Sequence, residues 1–299
     1  MPLQSGVPVA DLLSAGEAFE DLVFVGLARL PAAGEEVRTS RFTTSIGGGA
    51  PITAVAAARL GLDVTLASGL SEAAAHRLRA EGLRVINLRR SGERHAVSAA
   101  LSTTSERAFV TFDGVNARLE PRLARVVARA DARHVHFAFY PRDCARWARR
   151  VRRLAKRRVT TSWDFGWNDR LARDPGLPVL IDSLSIVFLN RREASLYAGA
   201  ARWPEVLRFW RARRPIVVIK RGADGSSAMG PDGDCAARAP AITPVDTTGA
   251  GDAFNAGFLA RWLAGGAVVE CLRAGNRVGA ASTRKPGGMD ALPRRKGPR

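Results

Sequence analysis

The chain has 299 residues, 46% of them hydrophobic, and its 46 Lys and Arg against 28 Asp and Glu give a formal net charge of +18. That length and apolar content suit one large α/β domain and exclude disorder as the main state. No apolar run reaches the length of a membrane span, the first residues lack the basic start of a secretion signal, and Cys144, Cys235 and Cys271 are too scattered for a metal or disulfide framework, so a cytoplasmic protein with free thiols is expected.

In chain order, apolar runs at 9–15, 64–68, 135–139, 159–163, 186–189 and 216–219 read as buried strands. Amphipathic patterns at 53–60, 73–81 and 204–213 read as helices between them. This alternation predicts an α/β fold, a Rossmann-like three-layer sandwich with a mostly parallel central sheet, binding ligands outside the carboxyl ends of its strands. Two segments break the rhythm. Residues 22–26 with 36–44, and 96–103 with 107–112, alternate in the manner of antiparallel strands with no helix between them. They predict a small separate sheet built from insertions at about 22–46 and 94–114, a lid over the ligand edge of a single domain spanning 1–299.

Several residues along that edge have chemistry to offer. Asp21, after the first strand, has a carboxylate able to accept from two hydroxyls at once; an exposed turn acid is the other reading. Gly47 and Gly48 precede a helix, where they either let a ligand approach the backbone closely or simply form a turn. His134 and His136 share one face of a strand, with no third metal ligand near in sequence. Residues 142–158 (RDCARWARRVRRLAKRR) put Cys144, Trp147, Val151 and Leu154 on one side of a helix and arginines on the other. This is either a solvated face or a polyanion surface; no zinc-finger spacing or RNA-recognition motif accompanies it, so nucleic acid is not the expected partner. Asp164 and Trp167, just past the strand 159–163, either meet ligand or pack. Glu193, three residues after Asn190, is a carboxylate in the first turn of a helix, where the dipole favours it. Gly222 and Gly225 frame a turn after Lys220. The tail 294–299 (RRKGPR) is expected to be mobile.

The densest signal is 244–258, PVDTTGAGDAFNAGF. Gly249, Ala250 and Gly251 set a side-chain-poor turn at a helix start, where unpartnered N–H groups and the helix dipole make an anion site. Asp252 stands among those amides. A carboxylate would repel a bound phosphate, so it serves either to take a proton from an attacking hydroxyl or as an ordinary acid at a helix N-terminus. There is no GxxxxGK[ST], so this is not a P-loop.

DTTGAGDAFNAGF resembles the C-terminal signature of the ribokinase-like, PfkB-type carbohydrate kinases. GEAFED (16–21), GGGAP (47–51), NRRE (190–193) and KRGADG (220–225) resemble further motifs of that family in the family's order, over roughly residues 9–293. The resemblance implies a sugar kinase that moves the γ-phosphoryl of ATP to a hydroxyl. It makes Asp252 the base, the 249–251 turn an anion hole, and Asp21, Gly47, Gly48 and Asp164 the acceptor side. Asn190, Lys220, Gly222, Gly225 and Asn276 fall at the nucleotide, Glu193 at Mg²⁺ through water, and Asp246 with Thr248 at a monovalent cation such as K⁺, as in some relatives. It also implies a homodimer formed through the lid. One position departs: Ile52 stands where many relatives carry a sugar-contacting Asn, and an aliphatic side chain takes no hydroxyl hydrogen bond. A nucleoside acceptor, with Ile52, Phe24, Phe42 and Trp167 making an apolar pocket, is the alternative. A non-catalytic ligand sensor or nucleic-acid-binding protein on the same fold is the third reading, against which stand the retained Asp252 and glycines.

Overall fold

The structure, a computed structural model, describes residues 9–103, 107–285, 287–289 and 291–293; the tail 294–299 lies outside the described residues. The first half runs β1 (Ala10–Gly16), β2 (Phe19–Val25), β3 (Arg41–Gly47), α1 (Gly49–Arg59), β4 (Val64–Ser68), α2 (Glu72–Ala80), β5 (Arg84–Asn87), β6 (Val97–Ser102), β7 (Arg107–Phe112), α3 (Glu120–Ala128) and β8 (Ala132–Ala138). The second half runs α4 (Cys144–Lys156), β9 (Thr160–Asp164), α5 (Asp169–Ala172), α6 (Leu177–Ile181), β10 (Ile186–Asn190), α7 (Arg191–Ala198), α8 (Trp203–Arg211), β11 (Ile216–Lys220), β12 (Ser226–Met229), β13 (Cys235–Ala237), α9 (Ala250–Leu263) and α10 (Val268–Ser282).

Nine strands form one sheet in the order β13-β12-β11-β10-β9-β8-β1-β4-β5. From β11 to β5 every pair is parallel, and β12 and β13 close one edge antiparallel. Ile186, Val187 and Phe188 of β10 and Val217, Val218 and Ile219 of β11 are buried on both faces, as a sheet covered by helices on each side requires. On one face Phe137, Phe139, Trp147, Trp163 and Phe165 pack together beneath α4. On the other, Phe188 meets Phe254 and Phe258 of α9. The three layers expected from the strand–helix alternation are present.

A second sheet has the order β3-β2-β6-β7. Its strands differ in extent from those read in the sequence. β2 starts at Phe19, not 22, and β3 runs Arg41–Gly47, not 36–44, because Pro31, Gly34, Glu35, Glu36 and Arg38 make the preceding stretch a solvated loop. β2 pairs β3 antiparallel but β6 parallel. The short strand β5, whose residues alternate between exposed and half-buried, and the helix α3, headed by a Pro in its first turn, were not legible in the sequence. No helix among the described residues is long and apolar enough to cross a membrane.

Candidate active site

Two helix N-termini converge at the carboxyl edge of the large sheet. α1 follows β3 through Gly47, Gly48 and Gly49; Gly48, its N-cap, has φ +98°, a conformation that L side chains rarely adopt. α9 follows the 244–249 loop, and its N-cap Gly249 has φ +71°. The helices pack on one another, and Thr53 Oγ1 in α1 donates to the Asp252 carbonyl at 3.2 Å. A Cβ at Gly49 would stand 2.9 Å from Asp252 Oδ1. The Asp252 carboxylate therefore lies against the first turn of α1 while belonging to the first turn of α9.

Burial of that carboxyl, with the negative charges of Asp164 and Glu193 nearby, raises its pKa to about 7, although the Lys220 ammonium pulls the other way. In the turn itself, Ala250 N–H donates to Thr247 O at 3.2 Å, and the first intrahelical bond is Ala253 N–H to Gly249 O at 2.9 Å. Of the amides expected in the anion hole, the one on Ala250 is thus already engaged. Gly251 and Asp252 present theirs ahead of the first helical bond.

Lys220 ends β11 and points at this turn: its Nζ would lie 3.1 Å from a Cβ at Gly251. It donates to Asp164 Oδ2 at 2.6 Å, and Asn255 Nδ2 donates to the same oxygen at 2.7 Å. Burial works against the charged Asp164, but Lys220 and Asn255 hold its pKa below the ordinary carboxylate value. Burial alone would lower Lys220; Asp164, Glu193 and Asp252 instead raise it. Asn255, fully buried one helical turn beyond Asp252, was missed in the sequence, where a lone Asn inside an apolar helix was the available signal.

Glu193 and Asn190 form a capping box on α7. Asn190 Oδ1 accepts from Glu193 N–H at 2.9 Å, and Glu193 accepts from Asn190 N–H at 2.8 Å and Nδ2 at 2.6 Å. Burial first, and then Asp164, raises the Glu193 pKa.

Asp21 is placed differently from its expected position after the first strand: β1 ends at Gly16, and Asp21 is the third residue of β2, opposite Ser45. Its carboxylate fills the space where a Cβ at Gly47 would be, and burial raises its pKa to about 6. Ile52 is 3% exposed and packs beneath the α9 turn, where its Cδ1 would stand 2.8 Å from a Cβ at Gly249. Phe24 and Phe42 contact each other on the face of the small sheet opposite Asp21, and Trp167 is 46% exposed under Arg192. The apolar pocket expected from Ile52, Phe24, Phe42 and Trp167 is therefore not assembled, because strand alternation sends the two phenylalanines away from the site.

Gly222 and Gly225 belong to the turn joining β11 to β12, and a Cβ at Gly225 would strike the Ala237 carbonyl. Asn276 Nδ2 donates to Ala237 O at 3.0 Å and Arg238 O at 3.3 Å, tying α10 to the chain after β13. Asp246 Oδ1 accepts from Thr248 N–H at 2.9 Å and its hydroxyl at 2.7 Å, while Oδ2 accepts from Gly287 N–H at 3.0 Å. Both residues shape the loop ahead of α9.

His134 and His136 are buried and joined by hydroxyls. The Thr160 hydroxyl donates to Arg133 O at 3.2 Å and so accepts from His134 Nδ1 at 2.8 Å. Ser162 then donates to His134 Nε2 at 2.7 Å and accepts from His136 Nδ1 at 2.8 Å. Burial keeps both rings neutral, with pKa values near 3 and 4. The pair knits β8 to β9 under the site.

A carboxylate of near-neutral pKa at a helix N-terminus, backed by a buried ammonium at the edge of an α/β sheet with a second small sheet, defines a phosphotransferase-like arrangement. The profile of the pfkB family carbohydrate kinases matches residues 9–295, and the chain belongs to that family of kinases. It is 29% identical to the ATP-dependent ribose-1-phosphate kinase of Halopiger xanaduensis over 94% of each chain. It is 28% identical to the ribokinase of Bacillus subtilis over 94% of this chain and 95% of the other. Among solved structures, adenosine kinase from Sinorhizobium meliloti is similar with a TM-score of 0.80 at 21% identity, covering 95% of this chain and 97% of that one. Arabidopsis thaliana ribokinase, complexed with ribose and ATP, is similar at 0.76 and 22%, covering 96% of each. At these identities the structures establish the shared fold.

Proposed function

We propose that the protein transfers the γ-phosphoryl group of ATP to a hydroxyl of a sugar or sugar derivative. The observation that carries this reading is Asp252, an acid of pKa about 7 set at the mouth of α9 with Lys220 beside the same turn. Ionised Asp252 takes the proton of the acceptor hydroxyl as its oxygen attacks the γ-phosphorus, and ADP leaves. The N–H groups of Gly251 and Asp252, and the Lys220 ammonium, stabilise the charge on the transferring group. Asp21, in the gap left by Gly47, orients the acceptor through its hydroxyls. The small sheet serves as the lid, excluding water that would otherwise be phosphorylated. Nucleotide lies along Asn190, Lys220, the Gly222–Gly225 turn and α10 near Asn276.

The donor set fits Mg²⁺ held through water: each Glu193 oxygen accepts one hydrogen bond and keeps a lone pair for a metal-bound water. The ion, when bound, neutralises phosphate charge. Asp246 Oδ1 accepts twice from Thr248 and Oδ2 once from Gly287, and no step here is routed through a monovalent cation.

A nucleoside acceptor is the second reading, now for a different reason than the displaced aromatics. Phe19 shares the Asp21 face of β2 and, with Phe139 and Tyr140, lines a cavity of about 680 Å³. A base extending from a ribose at Asp21 would find aromatic walls there. A second copy of this chain is the partner we assign to the other face of the small sheet, where Phe42, Val110 and Phe112 are 54%, 68% and 50% exposed.

ADP release from Mg²⁺-ATP, measured across pentoses, hexoses, keto-deoxy sugar acids, ribose 1-phosphate and nucleosides with Asp252→Asn as the blank, tests the reading. An acceptor-dependent signal lost in the variant is expected. The same signal in the variant would remove Asp252 from its role, and no signal with any acceptor would count against all these substrate classes.

A further inference from the structure

The groove between α3 and α4 holds arginines for which the kinase reaction has no use. It has a volume of about 730 Å³ and is lined by Arg125, Arg142, Arg146, Arg150, Arg153 and Arg157. Three of these donate to carbonyls: Arg142 Nη2 to Ala117 O at 2.7 Å, Arg157 Nη2 to Ala130 O at 2.6 Å and, more weakly, Arg150 Nη1 to Arg146 O at 3.3 Å. The acids on the rim already have partners, Glu120 also facing Arg142 Nε at 3.9 Å. Glu120 accepts from Trp147 Nε1 at 2.6 Å and from Arg142 N–H at 3.1 Å, and Asp143 caps α4 through Arg146 N–H at 2.7 Å. The guanidinium groups of Arg125, Arg146, Arg150 and Arg153 therefore have no carboxylate partner among the described residues.

The spacing explains the convergence. Positions 146, 150, 153 and 157 fall on one side of α4, next to the buried stripe Cys144, Trp147, Val151 and Leu154. They extend over about 16 Å of helix. Like charges at such spacing weaken a helix, so the array costs stability in the free protein. Burial first, and then the neighbouring Arg146 and Arg153, lower the pKa of Arg150 against the opposing pull of Glu120 and Asp143.

We propose that this groove binds a small anion bearing three or more phosphate groups. Guanidinium forks match phosphate oxygens in pairs, and the volume falls in the range of small-ligand sites. Single-stranded nucleic acid is the poorer fit, since such surfaces add exposed aromatic rings on which bases stack. The one ring in the groove, Trp147, is 1% exposed and lies under Arg150, whose guanidinium is 5.2 Å from its centroid.

Calorimetric titration of inorganic tripolyphosphate into the full chain tests this, at about 0.15 M salt where weak surface attraction is screened. Tripolyphosphate also resembles the phosphate arm of ATP, so the titration is repeated with saturating ADP and with the double variant Arg146→Gln/Arg153→Gln. The wild type is expected to bind one equivalent with ADP present. The variant is expected to bind at least about tenfold more weakly, a loss of about 1.4 kcal/mol, with unchanged turnover and a melting temperature no lower than that of the wild type. The pair Arg146→Lys/Arg153→Lys, which keeps charge without the fork, should fall between. Absence of binding to the wild type, equal binding to the Gln variant, or loss of all binding on adding ADP would overturn the proposal. So would tighter, variant-sensitive binding of a short single-stranded oligonucleotide, which would make the groove a nucleic-acid surface.

Discussion

Replacing Asp252 by Asn should make the protein less active and more stable at once. In the fold its pKa rises from 3.8 to about 7, chiefly through burial. At about 1.4 kcal/mol per pKa unit, ionising this carboxyl costs the native state at most about 4 kcal/mol. The side chain is partly exposed and shares its field with Asp164 and Glu193, so about half of that, near 2 kcal/mol, is expected from the uncharged isostere at about pH 8. For a chain of this size that is a rise in melting temperature of about 4 °C. A raised carboxyl pKa favours the fold below the unfolded value of 3.8, and that contribution is lost as pH rises through about 7. The advantage of the variant should therefore shrink as pH falls from 8 towards 4. Turnover should drop by about 10²–10⁴-fold, the scale of a general base. In the wild type kcat/KM should climb about tenfold between pH 6 and pH 8, since only the ionised acid accepts the proton. Paired thermal melts and rate profiles over this range check both halves. A variant that melts no higher than wild type at pH 8, or whose advantage does not depend on pH, would refute the account of a strained buried base.

Three further outcomes follow from the same geometry. Lys220→Met leaves Asp164 charged, with Asn255 and the Gly166 N–H as its remaining donors, and should cost about 3–5 kcal/mol in urea denaturation, with partial recovery in Lys220→Met/Asp164→Asn. Gly49→Ala puts a methyl group 2.9 Å from Asp252 Oδ1 and 3.0 Å from Ala138 Cβ. Displacing the base in this way should reduce kcat by about tenfold or more while KM for ATP changes little, as steady-state kinetics will show. Ser162→Ala orphans His134 Nε2 and His136 Nδ1 together and should destabilise by about 1–3 kcal/mol for each group in denaturant titration, with turnover less affected than by Gly49→Ala.

The family, the order of its motifs, the parallel core strands and the glycine turn before Asp252 were all legible in the sequence. Each is a local pattern: apolar runs, helical spacing, or glycines ahead of a helix. Asp21 was read as an acid following the first strand, whereas the fold puts it inside β2, which begins at Phe19 within the GEAFED stretch and before any alternation is visible. The role of Ile52 was legible only as a departure; its packing under Gly249 emerged from the fold.

What tertiary structure alone decided are the meetings of distant segments. Thr53 and Asp252 touch across 199 residues, Asp164 and Asn255 across 91, and Lys220 and Asp164 across 56. Local periodicity says which face of an element is apolar, but not which other face will cover it. The pKa of Asp252 is of the same kind. An aspartate in a sequence has its ordinary value, and only the helix packed against it, which takes it away from water, together with the charges of Asp164 and Glu193 brought from β9 and α7, raises it to about 7.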